Sequence, residues 1–266
     1  MEDRSMRADA ALAARGLASS REKARGLIEA GLVTVNGAII KKPAQKVGGE
    51  DVLRVLGETH PYVSRGGLKL EKALTTFEVD PSGQVCMDIG ASTGGFTDVL
   101  LRNGARKVYA IDVGTGQLAP KLLGDPKVVS MERVNARTLE TGMFPERPTL
   151  AVMDVSFISI RLVLPAVKSL LKSEAELVCL IKPQFEAGRE EVGKKGVVRD
   201  SRVHEQVIEE ILRFAPTAGL SVMGLDYSPI KGPEGNIEYL CYMKNGFYPS
   251  PAFDVAALVQ ASHETL

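Results

Sequence analysis

The feature that most constrains this sequence is a regular alternation of short apolar runs with helical stretches, which begins near residue 64. Five of these runs are predicted strands, at residues 85–89, 107–112, 128–131, 150–154 and 177–181. Strands separated by helices form right-handed crossovers, so the pattern predicts a mostly parallel sheet with helices on its faces. Two further predicted strands, 221–227 and 237–243, have no helix between them and should pair antiparallel at the end of the sheet.

The first part of the chain is organised differently. Between residues 6 and 56, two short helical patterns are followed by a strand, an Asn36-Gly37 turn and further short strands. We therefore predict a small α+β domain at 1–59, an α/β domain at 60–245 and a C-terminal tail at 246–266.

The composition is that of an ordinary globular protein, with 44% hydrophobic residues and equal numbers of basic and acidic side chains, 33 of each. Any basic surface must therefore come from local clustering. Cys86, Cys179 and Cys241 lie far apart and form neither a zinc motif nor a disulfide framework. No signal segment or membrane-spanning run is visible, which predicts a cytoplasmic protein with no metal and no membrane partner.

A glycine-rich loop follows the first strand of the predicted sheet. It reads Asp88-Ile-Gly90-Ala-Ser92-Thr-Gly94-Gly95-Phe96, and the next strand ends at Asp112. Glycine lets a backbone turn sharply against a ligand, and a carboxylate at the second strand end can accept the ribose hydroxyls of an adenosine moiety. Asn135, beside the third strand, is a candidate contact for the adenine.

Dinucleotide and S-adenosylmethionine sites share this arrangement. The acidic residue that opens the loop, Asp88, favours S-adenosylmethionine, because a carboxylate repels a pyrophosphate and attracts a sulfonium cofactor with its amino group. The remaining alternative is a glycine turn that only closes a βα unit.

Four charged residues stand where a packed sheet disfavours charge. Asp154 and Lys182 end two apolar strands, Lys69 lies in the first turns of a helix, and Glu238 lies within the last predicted strand. The carboxyl ends of parallel strands line a ligand crevice, so Asp154 and Lys182 should meet beside the transferred methyl group. The alternative for each residue is a surface charge at the end of an element.

This cluster suits methyl transfer to a sugar hydroxyl, which must lose its proton as it attacks. Lys182 can accept that proton if burial and a second cation, Lys69, destabilise its ammonium form, while Asp154 and Glu238 orient the lysines. Asp154 is followed by Val-Ser-Phe157 and not by the Pro-Pro-aromatic motif typical of amino-group methylation, which favours a hydroxyl acceptor.

Several motifs together resemble the TlyA, or hemolysin A, family of rRNA methyltransferases over nearly the whole chain. They are Tyr62-Val-Ser-Arg-Gly-Gly-Leu-Lys69-Leu, the loop at 88–96, Asp112-Val-Gly-Thr-Gly-Gln-Leu118, Asp154-Val-Ser-Phe157, Lys182-Pro-Gln-Phe-Glu186 and Gly232-Pro-Glu-Gly-Asn-Ile-Glu238. The second half resembles the FtsJ type of 2′-O-methyltransferase, whose catalytic Lys-Asp-Lys-Glu tetrad falls on Lys69, Asp154, Lys182 and Glu238. The resemblance implies a Rossmann-like methyltransferase fold and S-adenosyl-L-methionine as cofactor.

Residues 6–56 resemble an S4 RNA-binding domain, on the segments Arg7-Ala-Asp9, Ser20-Arg21 and 31–37. Ala8 is a departure, since such domains often have Leu or Val there. The candidate phosphate contacts are Arg7, Arg15, Arg21, Lys23, Arg25, Lys41, Lys42 and Arg65. For each of them the alternative is a solvated surface charge.

The family implies a ribosomal RNA substrate in the ribosomal subunits and 2′-O-methylcytidine as product. Some members modify only the large subunit, and others with longer ends modify both. The tail after Asn245 favours the second type. Three other functions stay open: a non-catalytic rRNA-binding or ribosome assembly factor, a membrane-lysing hemolysin and a small-molecule O-methyltransferase. The tetrad, the lack of a membrane segment and the S4-like domain, respectively, argue against them.

The three histidines, His60, His204 and His263, are far apart in the sequence. We expect them to be isolated, with His204 on the polar side of its helix and at the surface.

Overall fold

The computed structural model describes residues 5–18, 20–56, 60–232 and 234–266. The chain divides into two compact units, Met1–Pro61 and Tyr62–Leu266. Each unit buries its own clusters of apolar side chains and is described by itself.

The first unit packs two helices against short strands. Its elements are β1 (Met6–Arg7), α1 (Ala8–Ala14), α2 (Arg21–Glu29), β2 (Val33–Val35), β3 (Ala38–Ile39), β4 (Lys46–Val47) and β5 (Leu53–Val55). β2 pairs antiparallel with β3 and β5, and β1 pairs antiparallel with β4. Ser20 begins α2, because its Oγ accepts a hydrogen bond from the Lys23 amide at 3.1 Å. Asn36 and Gly37 both adopt positive φ, 51° and 86°, as a two-residue hairpin turn requires.

The second unit is built on a seven-stranded sheet. Its strands are β6 (Val85–Ile89), β7 (Lys107–Ile111), β8 (Val128–Met131), β9 (Leu150–Met153), β10 (Glu176–Ile181), β11 (Leu220–Tyr227) and β12 (Tyr239–Asn245). Their order across the sheet is β11-β12-β10-β9-β6-β7-β8. The strands β6 to β10 run parallel, whereas β12 pairs antiparallel with both β10 and β11. The predicted fold class, a mostly parallel sheet with an antiparallel last strand preceded by a small α+β domain, is confirmed.

Helices cover both faces of this sheet. They are α3 (Gly67–Phe77), α4 (Gly95–Arg102), α5 (Pro120–Leu123), α6 (Leu164–Leu170), α7 (Pro183–Glu186), α8 (Ser201–Thr217) and α9 (Val255–Thr265). Met87 and Ile89 pack with α6, α8 and α9, whereas Cys86 packs with α3 and α4, because successive side chains of a strand point to opposite faces. No helix in the described ranges has both the length and the apolar character needed to cross a membrane.

The strand order reverses between β6 and β9, and this point positions the site. β7 and β8 extend the sheet on one side of β6, while β9 and β10 extend it on the other. Ligands of such sheets bind beyond the carboxyl ends of the strands at this reversal. Glu238 directly precedes β12 instead of lying within it, because the pairing of β12 with β11 begins at Tyr239, opposite Tyr227.

The expectation of an exposed, isolated His204 is wrong. His204 is 1% exposed, and its Nδ1 lies 2.7 Å from the Tyr239 hydroxyl and 3.2 Å from Nε2 of His263. Its position three and four residues before Val207 and Ile208 puts it on the apolar stripe of α8, which the C-terminal helix α9 then helps to cover. The two histidines therefore form one contact between α8 and α9.

The burial of His204 predicts a pH-dependent stability. Burial, together with the nearby His263, lowers the pKa of His204 from 6.5 to about 4. The unfolded chain therefore binds the proton more readily, so this contribution to the free energy of unfolding is fully present above pH 6.5 and is lost as the pH falls towards 4. Thermal unfolding of the wild type and of His204→Gln at about pH 7.5 and about pH 5 checks this. The loss of Tm on acidification should be smaller in the variant, and equal losses would contradict it.

Candidate active site

The four predicted tetrad residues meet at the carboxyl edge of the sheet. Lys69 comes from the first turn of α3, Asp154 directly follows β9, Lys182 directly follows β10, and Glu238 directly precedes β12. Lys69 Nζ lies 2.5 Å from Glu238 Oε2 and 3.7 Å from Asp154 Oδ2. Lys182 Nζ lies 2.5 Å from Asp154 Oδ1. The structure thus joins residues that are up to 169 positions apart into one chain of contacts.

The charges in this chain alternate, in the order Glu238, Lys69, Asp154, Lys182. The side chains of Glu238, Lys69 and Lys182 are 1%, 7% and 8% exposed, and that of Asp154 is 21% exposed. Buried charges are tolerated when they are paired, and here two carboxylates neutralise two ammonium groups. Asp154 is the link between the two lysines and is also the member most open to solvent.

The glycine loop lies against the backbone of Asp154. Gly90 has φ +83°, and a Cβ atom there would lie 2.6 Å from the Asp154 carbonyl oxygen. Gly94 also has positive φ, +95°, and begins α4, while Gly95 lies against Ser64 so closely that a Cβ atom would overlap its hydroxyl. These positions require glycine for conformation or for space.

A cavity of about 430 Å³ opens beside this loop. Its polar lining includes Ser92, Asp112 and Asn135, and its apolar lining includes Ile111 and Val134. Asp112 is held in place because Oδ2 accepts a hydrogen bond from the Ser92 amide and Oδ1 accepts one from the Gly114 amide, both at 2.7 Å. A fixed carboxylate next to an apolar slot fits the ribose and base of an adenosine group.

A second cavity, of about 210 Å³, adjoins the tetrad. Lys69, Lys182, Gly95 and Phe96 are among the residues that line it. The two cavities share four lining residues, which are Gly90, Ser92, Asp154 and Ser156. The predicted cofactor loop and the predicted tetrad are therefore parts of one continuous site.

Asp88 and Gly94 line neither cavity. The Asp88 side chain is 1% exposed on the α3–α4 face and accepts a hydrogen bond from the Thr97 hydroxyl at 2.6 Å. Burial raises the pKa of Asp88 to about 7. In this geometry its carboxylate holds the first turn of α4, and direct contact with a cofactor stays a prediction.

Sequence reasoning singled out the segment after Asp154 as a motif but gave no role to its individual side chains. Ser156 Oγ accepts a hydrogen bond from Lys182 Nζ at 3.0 Å. Phe157 is 91% exposed with φ +64°, and its ring centre lies 5.1 Å from that of Phe185. Glu186 accepts hydrogen bonds from the Ser159 hydroxyl and the Ile160 amide, at 2.6 and 2.7 Å, and its burial raises its pKa. A serine two residues after a candidate catalytic carboxylate was a visible signal, but the backbone turn at Phe157 was not.

Half of the eight candidate RNA-contacting residues are engaged inside the first unit. Arg7 and Arg21 pair with Asp9, which holds the pKa of that carboxyl at about 2, and Arg25 pairs with Glu29. Arg15 donates to backbone carbonyls, among them that of Gly48 at 2.7 Å.

The other four candidates are exposed cations. They are Lys23, Lys41, Lys42 and Arg65. Lys23, Lys41 and Lys42 form no ion pair within the parts of the chain that the structure describes. The described residues also contain no cluster of acidic, histidine and cysteine side chains suited to a metal ion.

The sequence matches two protein families. An FtsJ-like methyltransferase matches residues 62–245, and an S4 domain matches residues 6–53. The chain is 46% identical to the protein described as "Putative rRNA methyltransferase YqxC" from Bacillus subtilis, over 100% of this chain and 97% of that protein. It is 45% identical to the 16S/23S rRNA (cytidine-2'-O)-methyltransferase TlyA of Mycobacterium tuberculosis, over 91% of this chain and 90% of that one. A solved structure described as "Putative hemolysin from Streptococcus thermophilus" matches with a TM-score of 0.80 and 46% identity, covering 98% of this chain and 96% of that one.

The contact between Gly90 and Asp154 generates a prediction with a matched control. Gly83 has φ +69°, and a Cβ atom there would have no neighbour within 4 Å, so Gly83→Ala carries only the backbone cost of a left-handed alanine, about 1 kcal/mol. Gly90→Ala carries the same cost and must also displace the Asp154 carbonyl. We expect about a 100-fold loss of methyl transfer in Gly90→Ala and near-normal transfer in Gly83→Ala. Calorimetric titration with S-adenosylmethionine should show weakened binding only for Gly90→Ala, and equal behaviour of the two variants would contradict the proposed contact.

Proposed function

Since this chain belongs to the TlyA (hemolysin A) family of rRNA methyltransferases, with an S4 domain and an FtsJ-like methyltransferase domain, we propose that it methylates the ribose 2′-hydroxyl of cytidine in ribosomal RNA. The observation that carries the proposal is the alternating chain Glu238, Lys69, Asp154, Lys182 beside the glycine loop. A site of this kind holds a proton acceptor next to a cofactor slot, which is what transfer to a hydroxyl needs.

The residues of the larger cavity suit S-adenosyl-L-methionine. Asp112 would accept hydrogen bonds from the ribose hydroxyls, Asn135 would contact the adenine, and Gly90 would let the backbone approach the cofactor without a side chain. When bound, this cofactor supplies an electrophilic methyl group on a sulfonium sulfur. Of the further residues predicted to bind it, Ser92, Gly95 and Phe96 line the site, whereas Asp88 and Gly94 do not.

Lys182 is the proton acceptor. Among the described residues, Lys69 Nζ contacts two carboxylates, those of Glu238 and Asp154, whereas Lys182 Nζ contacts only that of Asp154. We therefore assign the proton-accepting role to Lys182 and a charge-balancing role between two carboxylates to Lys69. The proton of the 2′-hydroxyl passes to its Nζ atom while the hydroxyl oxygen acts as nucleophile.

The other tetrad members position this amine. Asp154 fixes Lys182 Nζ from one side, and Lys69 holds the second oxygen of the same carboxylate. Glu238 in turn neutralises Lys69, which keeps an uncompensated charge out of a buried site. Lys69 thus acts on Lys182 through their shared partner, the Asp154 carboxylate.

We assign RNA recognition to residues 1–59, catalysis to 60–245 and an extension of the catalytic unit to 246–266. Arg7, Arg15, Arg21, Lys23, Arg25, Lys41 and Lys42 are the candidate phosphate contacts of the first unit, and Arg65 is one on the second. The name of the Mycobacterium tuberculosis relative specifies 16S and 23S rRNA, which supports action on both ribosomal subunits. Ribosomal substrates in turn support a cytoplasmic place of action.

Each of the three rival functions leaves one of these structural features unexplained or unsupported. A pure rRNA-binding assembly factor does not need two lysines buried at 7% and 8% exposure beside a cofactor-sized cavity. A small-molecule methyltransferase does not need the S4 domain. A membrane-lysing role is named for relatives, but within the described ranges no helix suited to crossing a membrane supports it.

Removing the proposed base should separate catalysis from binding. Lys182→Ala should lower methyl transfer by a factor on the order of 100 to 10,000, because a positioned base contributes that much. Binding of rRNA should change only a few-fold. The assay uses radiolabelled S-adenosylmethionine with small and large ribosomal subunits from cells that lack the enzyme, followed by nuclease mapping of alkali-resistant label. Full activity of Lys182→Ala would rule out this base, and no label from the wild type would favour the assembly-factor function.

The exposed lysines of the first unit generate a second prediction. Lys41→Ala with Lys42→Ala should weaken rRNA binding and reduce the slope of log affinity against log salt by about 1 to 2, since each phosphate contact releases counterions. Binding titrations between low and moderate salt measure this slope. Lys172→Ala, on the second unit, is the control, and an unchanged slope in the double variant would exclude Lys41 and Lys42 as phosphate contacts.

A further inference from the structure

The proton that Lys182 accepts must leave before the next turnover, and the structure shows one side chain placed to receive it. Among the described residues, the polar contacts of Lys182 Nζ are Asp154 Oδ1 at 2.5 Å and Ser156 Oγ at 3.0 Å. Lys182 itself is only 8% exposed, whereas Ser156 is exposed. A proton on Lys182 therefore has a carboxylate on one side and a solvent-exposed hydroxyl on the other.

We propose that Ser156 is a further catalytic residue, which carries the proton from Lys182 to solvent and so returns Lys182 to the amine form. This inference rests on the proposed function, because it assumes that Lys182 is the base. The hydroxyl is suited to the task, since it can accept a proton and donate another in the same hydrogen-bonded chain.

The direction of the observed hydrogen bond matches this transfer. Lys182 Nζ donates and Ser156 Oγ accepts, so the hydroxyl hydrogen of Ser156 points elsewhere and can be donated to water. During catalysis the O–H bond of the 2′-hydroxyl breaks and an N–H bond forms on Lys182. An Nζ proton then moves to Ser156 Oγ while the original hydroxyl proton of Ser156 passes to water. Lys182 ends as a neutral amine, Ser156 ends unchanged, and one proton has reached solvent.

The same contact orients Lys182 during the attack. Lys182 Nζ lies against Asp154 Oδ1 on one side and donates a hydrogen bond to Ser156 Oγ on the other. The nitrogen lone pair is then left for the proton of the incoming hydroxyl. Ser156 lines both the cofactor cavity and the tetrad cavity, so it borders the place where that hydroxyl must lie.

The loop that carries Ser156 is held at both ends. Asp154 is tied to β6, because its amide donates to the Ile89 carbonyl at 3.0 Å. At the other end, the Glu186 carboxylate accepts hydrogen bonds from the Ser159 hydroxyl and the Ile160 amide. A hydroxyl held in this way meets the distance requirement for proton transfer without reordering a loop.

The test compares Ser156→Ala with Ser156→Thr, which keeps the hydroxyl. Steady-state methylation of rRNA by Ser156→Ala should be slower in kcat by about tenfold at neutral pH, the scale of one hydrogen bond to a charged group. The KM for rRNA and the affinity for S-adenosylmethionine should stay within about twofold. Ser156→Thr should recover most of the rate. Ser169→Ala, which removes a hydroxyl bonded only within α6, is the matched control.

Added buffer base separates proton transfer from a structural role. Imidazole can take the proton from Lys182 directly, so increasing its concentration at constant pH should raise the kcat of Ser156→Ala and leave the wild type unchanged. The deficit of the variant should also shrink as the pH rises. An Ser156→Ala enzyme with wild-type kcat would overturn the proposal, as would a slow variant that neither imidazole, higher pH nor the threonine substitution restores. If the wild type itself transfers no methyl group to rRNA, the proposed function fails instead.

Discussion

The close approach of Gly90 to the Asp154 carbonyl is the contact on which the rest of the site depends. It occurs where the carboxyl ends of β6 and β9 lie side by side, and the Asp154 amide is bonded to Ile89 at 3.0 Å. No side chain fits between the two backbones, so the glycine loop and the residue that carries the proposed catalytic carboxylate, Asp154, are fixed against each other. The cavity predicted to hold the cofactor therefore adjoins the tetrad, and a displacement of the glycine loop or of Asp154 would move the other.

The electrostatics follow from that geometry. Asp154 can hold two lysines because its two oxygens face different elements, Lys69 on α3 and Lys182 after β10. Glu238 balances the cluster from the loop before β12. Each charge would be costly alone in so buried a place, and each is tolerated because its neighbour is present. The arrangement is asymmetric, because Lys69 contacts two carboxylates and Lys182 contacts one.

Much of the fold could be predicted because it depends on local patterns. The predicted strands 85–89 and 128–131 coincide with β6 and β8, and each of the other three parallel strands differs from its prediction by one residue at one end. Helix α8 was also predicted from the spacing of its apolar residues. The prediction for His204 is nevertheless wrong, even though the spacing of His204 from Val207 and Ile208 places it on the apolar stripe. Classifying His204 simply as a polar residue ignores helix α9, which packs over it. Burial depends on what covers a face, and the covering element lies 59 residues further along the chain.

The fold class, the glycine loop and the residue types at the strand ends could be predicted from the sequence, because strand periodicity and glycine conformation are set by neighbours in the chain. The family motifs also predicted the tetrad. The packing of distant elements sets which oxygen meets which lysine, how Asp88 holds α4 from outside the cavities, and the contact of Ser156 with the proposed base. These contacts join residues through the packing of separate strands and helices, and a distance of a few ångströms between side chains is fixed only when all of those elements are assembled.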